Sequence, residues 1–259
     1  MMKSLRVTAP DRALRPARSA PLRFLAGLTL APLLRSAITR HSVPAGQPPR
    51  VACDRCAAPI GPGQPLRPRS PVARCAACGA RVGAPPYTVE IALIAAVVAL
   101  LVPDRPAIEL LAVAGWLALA VPLAFIDAAV HRLPDRFTLP AALGTWGLLG
   151  LAAVLHGDAA SWLRAFAAGT GLALFFAAST LLLGRRGFGL GDAKLALSAG
   201  ALLGWYGWGA LIAGVFLTFV CAALVSLVLL VTGRVRWRGQ VPFGPFLIVG
   251  TVAALVLTP

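Results

Sequence analysis

Six apolar runs, near residues 88–102, 107–126, 138–155, 162–183, 208–232 and 242–257, with a shorter one at 193–204, leave this chain few folds to choose from. Several reach the roughly 17–25 residues that cross a bilayer as a helix. The shorter ones need little tilt, a thinned membrane or support from neighbouring helices. The chain is 58% hydrophobic, with a mean hydropathy of +0.81, well above an ordinary soluble domain. The expected fold is all-α: a polytopic transmembrane helical bundle of about seven to eight membrane segments.

Charge organises the chain further. Residues 1–87 carry fourteen Lys/Arg against two acids, a balance of +12; residues 88–259 carry ten against seven, a balance of +3. Basic segments flanking membrane helices set topology and attract anionic lipid heads. Membrane lipids, and not nucleic acid, are therefore the expected partners of this charge, and no nucleic-acid-binding motif is present. Three parts are expected: a basic N-terminal tail with a short apolar segment (1–36), a polar loop (37–87) and a membrane-embedded domain (88–259). Residues 24–34 resemble a short signal-type apolar region, yet Arg35 and Arg40 follow with no small-residue cleavage site. A short helix lying in or barely crossing the interface is the other reading.

Two aspartates interrupt the apolar runs: Asp127, ending Val121-Pro-Leu-Ala-Phe-Ile-Asp127, and Asp192, in Gly189-Leu-Gly191-Asp192-Ala-Lys194. A carboxylate at membrane depth survives mainly where chemistry, an ion or a buried partner needs it. If both lie at one end of the bundle, that end carries Arg132, Arg136, Arg185, Arg186, Lys194, Arg234, Arg236 and Arg238, against Arg105 and Arg164 at the other. Eight against two makes the aspartate end cytoplasmic under the positive-inside rule. After Asp127, Pro134 ends the helix, and Asp135 is placed to cap the next one. His131, one turn beyond Asp127, either hydrogen-bonds it or faces solvent.

Gly187, Gly189 and Gly191 alternate before Asp192. Each would cost a helix interior about 1 kcal/mol relative to Ala, but they give backbone room against which an extended peptide can lie. The bland alternative for Asp192 is a plain helix cap. A third element, Gln240-Val-Pro242-Phe243-Gly244-Pro245-Phe246, reads as a kinked helix start on the same side. Gly189, Gly191, Pro242, Phe243 and Gly244 are thus candidate substrate-binding residues. Two adjacent carboxylates share a proton and titrate as a pair; one then activates water against a peptide carbonyl while the other donates a proton.

In the polar loop, Cys53-Asp-Arg-Cys56 and Cys75-Ala-Ala-Cys78 are separated by eighteen residues. Paired CxxC knuckles match a structural four-thiolate zinc site, with disulfides or free redox thiols as alternatives. Gly79 after the second knuckle, and Pro59 and Gly61 after the first, suit the sharp turns such a site requires. Cys221, inside an apolar run, reads as a small core residue.

Asp127 with Leu133-Pro134-Asp135, then Gly189-x-Gly191-Asp192-x-Lys194-Leu195, then Pro242-Phe243-Gly244-Pro245-Phe246, resemble in order the motifs of the type IV prepilin peptidases, membrane aspartyl proteases of the GxGD class. The double-CxxC loop and Pro86-Tyr87-Thr-Val89-Glu90 resemble that family's zinc-bearing loop and its exit into the bundle. The resemblance spans roughly residues 50–250. It implies an enzyme of the cytoplasmic membrane, its active site facing the cytoplasm, that removes a short basic leader from prepilins and pseudopilins, with Asp127 and Asp192 as catalytic residues. Many members also methylate the new N-terminus with S-adenosylmethionine. The stretch Gly27-Leu-Thr-Leu-Ala-Pro32-Leu-Leu-Arg35, with Arg40-His-Ser-Val43-Pro44, departs from the family's Gly-Ser-Phe-Leu-Asn and Arg-Leu-Pro patterns and loses the polar Asn position, so methylation does not carry over with cleavage. Two rivals remain: an ion-coupled transporter using the aspartates as ligands, and an inactive membrane scaffold displaying the zinc loop.

Overall fold

The computed structural model describes residues 20–60, 71–184, 188–235 and 241–258. Arg185, Arg186, Gly187, Arg236, Arg238, Gln240, Gly61 and the basic tail 1–19 lie outside the described residues. Among those described, eight helices form: α1 (Ala20–His41), α2 (Thr88–Leu101), α3 (Ala107–Val130), α4 (Asp135–His156), α5 (Ala159–Leu183), α6 (Leu190–Tyr206), α7 (Trp208–Val231) and α8 (Gly244–Leu257). The fold is all-α, with two isolated β-bridges in the polar loop. Four helices, α3, α4, α5 and α7, are long and apolar enough to cross a membrane. α2 and α8 have 14 residues each and α6 has 17. At 1.5 Å per residue, 14 residues rise about 21 Å, short of the hydrocarbon core; α2 and α8 both pack on α3, and α6 on α5. The bundle wears apolar residues outward, among them Leu143, Val154, Leu181 and Val231. Lipid, not water, suits that surface.

Local chemistry sets the helix ends. α3 stops at His131, whose left-handed backbone (φ 52) lets its N–H donate to the Asp127 carbonyl at 2.8 Å. α5 begins at Asp158, whose Oδ1 accepts the Ser161 N–H at 3.0 Å. Gly207 alone joins α6 to α7, at φ 127, a conformation that a side chain would strain. The connections at that end span five residues or fewer (102–106, 157–158, 207), whereas three of the four at the Asp127 end are longer (42–87, 184–189, 232–243) and only 131–134 is as short. The N-terminal apolar segment belongs to a 22-residue helix that continues through Arg35 and Arg40. Arg35 is buried, its Nε and Nη2 gripping both Glu90 oxygens at 2.7 and 2.6 Å, so α1 is tied to the start of α2.

α5 and α6 cross at backbone contact. A Cβ on Gly169 would stand 2.6 Å from the Leu197 carbonyl oxygen; on Gly200, 2.9 Å from that of Ala168; on Gly204, 2.4 Å from the Ala168 Cβ. Gly200-x-x-x-Gly204 is the small-residue spacing that lets membrane helices approach closely. On its other side α6 is held to α3 by the Trp116 indole, which donates to Ser198 Oγ at 3.0 Å, while Ser198 donates to the Leu195 carbonyl. Overpacking this crossing should be costly: Gly200→Leu or Gly204→Leu should lose about 1–3 kcal/mol or more, seen as a lower melting temperature in detergent. Gly171→Ala, on the same helix as Gly169 but with nothing within 4 Å of its Cβ, should be neutral or stabilising by up to about 1 kcal/mol.

Candidate functional site

Both aspartates are buried, and each is held at the N-terminus of a helix. Asp192 stands in the first turn of α6 and folds back on it, its Oδ2 accepting the Gly189 N–H at 2.9 Å. Asp127, on the last turn of α3, reaches across to α8, where its Oδ2 accepts the Gly244 N–H at 2.9 Å. The first N–H groups of a helix have no intrahelical partner and carry a positive partial charge. Two separate helix starts therefore compensate the two carboxylates. Among the described residues, Oδ1 of neither aspartate accepts a hydrogen bond.

The two carboxylates line one cavity of about 720 Å³. Gly189, Gly191, Leu133 and Pro134 line it, together with the polar and charged side chains of Asp135, Lys194, His41, His131, Arg132 and Arg136. Leu133 is the spacer of the site: a Cβ on Gly191 would meet its Cβ at 3.0 Å, and one on Gly244 would meet its Cδ2 at 3.3 Å and Asp127 Oδ2 at 2.8 Å. Glycine at both places lets loop backbone close on Leu133 and on Asp127. Of the expected substrate-binding residues, Gly189 and Gly191 line the cavity but Pro242, Phe243 and Gly244 do not; Phe243 turns its ring to three other phenylalanines, and Gly244 meets the cavity only through its N–H to Asp127. His131 lines the cavity, exposed, and makes no hydrogen bond to the Asp127 carboxylate.

Asp135 corrects one expectation. It is not the cap of α4 but its first helical residue, after Pro134, with no capping bond. Its carboxylate instead accepts from Lys194 Nζ at 2.6 Å, so the pair bridges the starts of α4 and α6. Pro134, with φ −65, already presets the helix entry and leaves the aspartate free for this bridge.

The cysteines form a second centre. Cys53, Cys56, Cys75 and Cys78 are free thiols whose sulfurs all lie within 4.8 Å of one another. Cys53 meets Cys78 at 3.8 Å and Cys56 meets Cys75 at 3.7 Å. Four sulfurs about 2.3 Å from a central ion have tetrahedral edges of about 3.8 Å, so the donor set fits a four-thiolate metal. The two knuckles are near copies. Cys53 and Cys75 donate N–H to Ala58 and Ala80 at 2.8 Å each, and Ala57 and Gly79 donate back to Cys53 and Cys75 at 2.9 and 3.0 Å. Positive φ falls on Ala57 (55°) and Gly79 (69°), so the first knuckle makes with alanine the turn that the second makes with glycine. The Cys75 thiol is drawn down to about 6, first by the backbone N–H groups of Cys78 and Ala77. The Cys56 thiol, though favoured as thiolate by the Ala58 N–H, is pushed up to about 12 by its bonds to Cys78, Cys75 and Cys53 and by burial. Cys221, away from this centre, is half-buried on α7.

Residues 111–231, which include both aspartates, match the family model described as the type IV leader peptidase family. The chain is 35% identical over 219 residues to the prepilin leader peptidase/N-methyltransferase of Burkholderia pseudomallei, covering 80% of this chain and 67% of that protein. It is 35% identical over 216 residues to the protein of that name from Aeromonas salmonicida, covering 80% and 71%. It is also 35% identical over 137 residues to leader peptidase HopD of Escherichia coli, covering 51% and 83%. The chain belongs to the type IV leader peptidase family. No solved structure matches it. With the family shown and four long apolar helices present, this is a multi-pass membrane protein.

For a leader peptidase relative, one wall of the cavity comes from an unexpected quarter. His41, the last residue of α1, and Val43, Gln47 and Pro49, between α1 and the first knuckle, line it as well. The His41 ring packs edge-on to Phe137 of α4 at 5.2 Å, and Arg132 donates to the Pro44 carbonyl at 3.3 Å. No pattern within that segment places it there; only its fold beside the cysteine module does.

The thiol geometry makes a prediction. The protein should bind one equivalent of cobalt(II), read from thiolate-to-metal charge-transfer absorption, and Cys56→Ser or Cys75→Ser should each weaken binding at least about tenfold. Binding requires thiolates, and Cys56 resists ionisation without a cation, so protons are released and affinity falls as pH is lowered through the neutral range toward 6.

Proposed function

We propose that this chain is a membrane aspartyl endopeptidase that removes the short basic leader of type IV prepilins or pseudopilins. The observation that carries the reading is that Asp127 and Asp192 line one cavity, each fixed through one oxygen by a glycine amide and each with its other oxygen unengaged among the described residues. One carboxylate takes a proton from water, whose oxygen attacks the peptide carbonyl carbon. The other, protonated, donates to the departing amine as the C–N bond breaks. The glycine amides hold the carboxylates in place, so little reorganisation is needed at the moment of attack. Gly189 and Gly191 line the cavity without side chains and leave room for an extended leader.

Supporting the orientation, Arg132, Arg136, Lys194 and Arg234 lie at the aspartate end among the described residues, which the positive-inside rule makes cytoplasmic. The cell's cytoplasmic membrane is the proposed location, with anionic lipid around that end. The proposed parts are the N-terminal tail with its apolar segment (1–36), the cysteine loop (37–87) and the protease domain (88–259), α1 running through the first boundary to His41. We assign zinc, as a structural ion, to Cys53, Cys56, Cys75 and Cys78, because a closed four-sulfur set leaves no open coordination position for catalysis. The relatives' names include N-methyltransferase, but the altered 27–44 stretch, where Arg35 is committed to Glu90, supports no assignment of S-adenosylmethionine or methylation here.

Purified protein mixed with a prepilin should release the leader, detected as a mass shift of the substrate, and Asp127→Asn and Asp192→Asn should each abolish release. Cleavage surviving in either variant rejects the pair. Between the glycines, Gly244→Ala drives a methyl to 2.8 Å from Asp127 Oδ2 and should lower turnover by about 100-fold or more. Gly189→Ala, at φ −74 and 3.4 Å from Asp192 Oδ2, should lose less than about tenfold.

A further inference from the structure

Four phenylalanine rings meet beside the catalytic cavity, outside its lining. Phe188, before α6, and Phe243, before α8, stand 4.6 Å apart at their centroids. Phe176 of α5 backs both, at 4.8 and 5.3 Å, and Phe219 of α7 closes the far side at 6.0 and 5.6 Å. Phe176 is fully buried. Offset and edge-on ring pairs at such spacings attract beyond the area they bury.

What distinguishes this cluster is its place in the chain. Phe188 immediately precedes Gly189, whose N–H holds Asp192; Phe243 immediately precedes Gly244, whose N–H holds Asp127. Each of these N–H groups lies in the rigid peptide plane shared with its phenylalanine. Both planes are held at their other edge as well. The Phe188 carbonyl accepts from Thr180 Oγ1 of α5, and the Phe243 carbonyl accepts from the N–H groups of Phe246 and Leu247 at 3.0 and 3.1 Å. Each plane thus begins at a phenylalanine whose ring packs against that of the other.

We propose that the Phe188–Phe243 contact is an aromatic clasp that couples the two glycine amides, and so keeps Asp127 and Asp192 aligned with each other. Phe188 and Phe243 are positioning residues: neither lines the cavity, and each acts through the amide that follows it. The two carboxylates come from separate helices, α3 and α6, and are restrained by separate helix starts, α6 and α8. The ring contact joins those two starts directly. Its effect on turnover rests on the protease reading above; the coupling of the two loops does not.

The test uses the full-length protein in detergent, with Phe188→Leu, Phe243→Leu and the double variant. Phe166→Leu, in the separate Trp146–Phe166–Trp162 cluster, serves as control. Hydrogen exchange followed by mass spectrometry reads the two loops without any substrate. Phe188→Leu should speed exchange at the remote Gly244 segment, and Phe243→Leu at the Gly189 segment, each by about fivefold or more, while Phe166→Leu changes neither. With prepilin as substrate, each single variant should lower kcat about tenfold or more with KM held within about threefold. The double variant should be no worse than the worse single variant by more than about threefold, because the two rings act as a unit. Parental exchange at the remote segment in folded variants, or losses in kcat that multiply, overturns the clasp. Should the parent itself cleave nothing, the protease reading falls and the exchange result still decides the clasp.

Discussion

A buried carboxylate needs a compensating partner, and for both aspartates of the cavity that partner is the start of a helix. Asp192 uses its own helix and Asp127 borrows one 117 residues away in the chain. The consequence is structural before it is chemical. α8 lacks a side-chain cap from its own preceding residues, so the Asp127 carboxylate serves it, and α3 and α8 become mutually dependent. Using one oxygen of each aspartate in this way also fixes how the other is presented.

The rest of the bundle keeps α3, α6 and α8 in register. The glycine-to-backbone crossing of α5 and α6 leaves no freedom for α6 to slide, since the groups in contact are main chain and cannot change rotamer. Trp116 and Ser198 then tie α6 to α3 at a single buried polar contact, in which the hydroxyl both accepts and donates. Among apolar helices, where lipid and side chain are equally greasy, such polar points and close backbone approaches specify one arrangement among many. The outward surface, by contrast, asks only for apolar residues, and α7 meets that with a largely exposed face.

The parts of this arrangement that are local in the chain were legible in the sequence. Apolar runs gave the helices because length and hydropathy suffice. Asp127 and Asp192 stood out because carboxylates are rare in such runs, and the four cysteines because each knuckle is a self-contained turn. What escaped depends on residues far apart in the chain. The amide partner of Asp127 is Gly244, and the partner of Asp135 is Lys194, for which local reasoning substituted a helix cap. Ala57 occupies a left-handed turn position that composition would assign to glycine, as the companion knuckle does at Gly79. Gly200-x-x-x-Gly204 also carries a local signature, a four-residue repeat of small residues, but which helix lies against it comes only from the fold.

The cysteine module and the carboxylate cavity share a boundary that explains why a structural metal would sit in such an enzyme. The wall segment 41–49 is a loop pinned at its base, where the Arg50 N–H donates to the Arg40 carbonyl at 2.8 Å. One end of that base continues into α1, locked by Arg35 to Glu90; the other runs within three residues to Cys53, through Val51, whose carbonyl accepts the Ile60 N–H at 2.7 Å. The first knuckle therefore continues the pinned base directly, and a metal closing both knuckles would stiffen that wall. A loop rich in proline and glycine has little core of its own with which to hold such a shape. Four thiolates on one ion would supply the rigidity that apolar burial does not, and none of the four cysteines lines the carboxylate cavity.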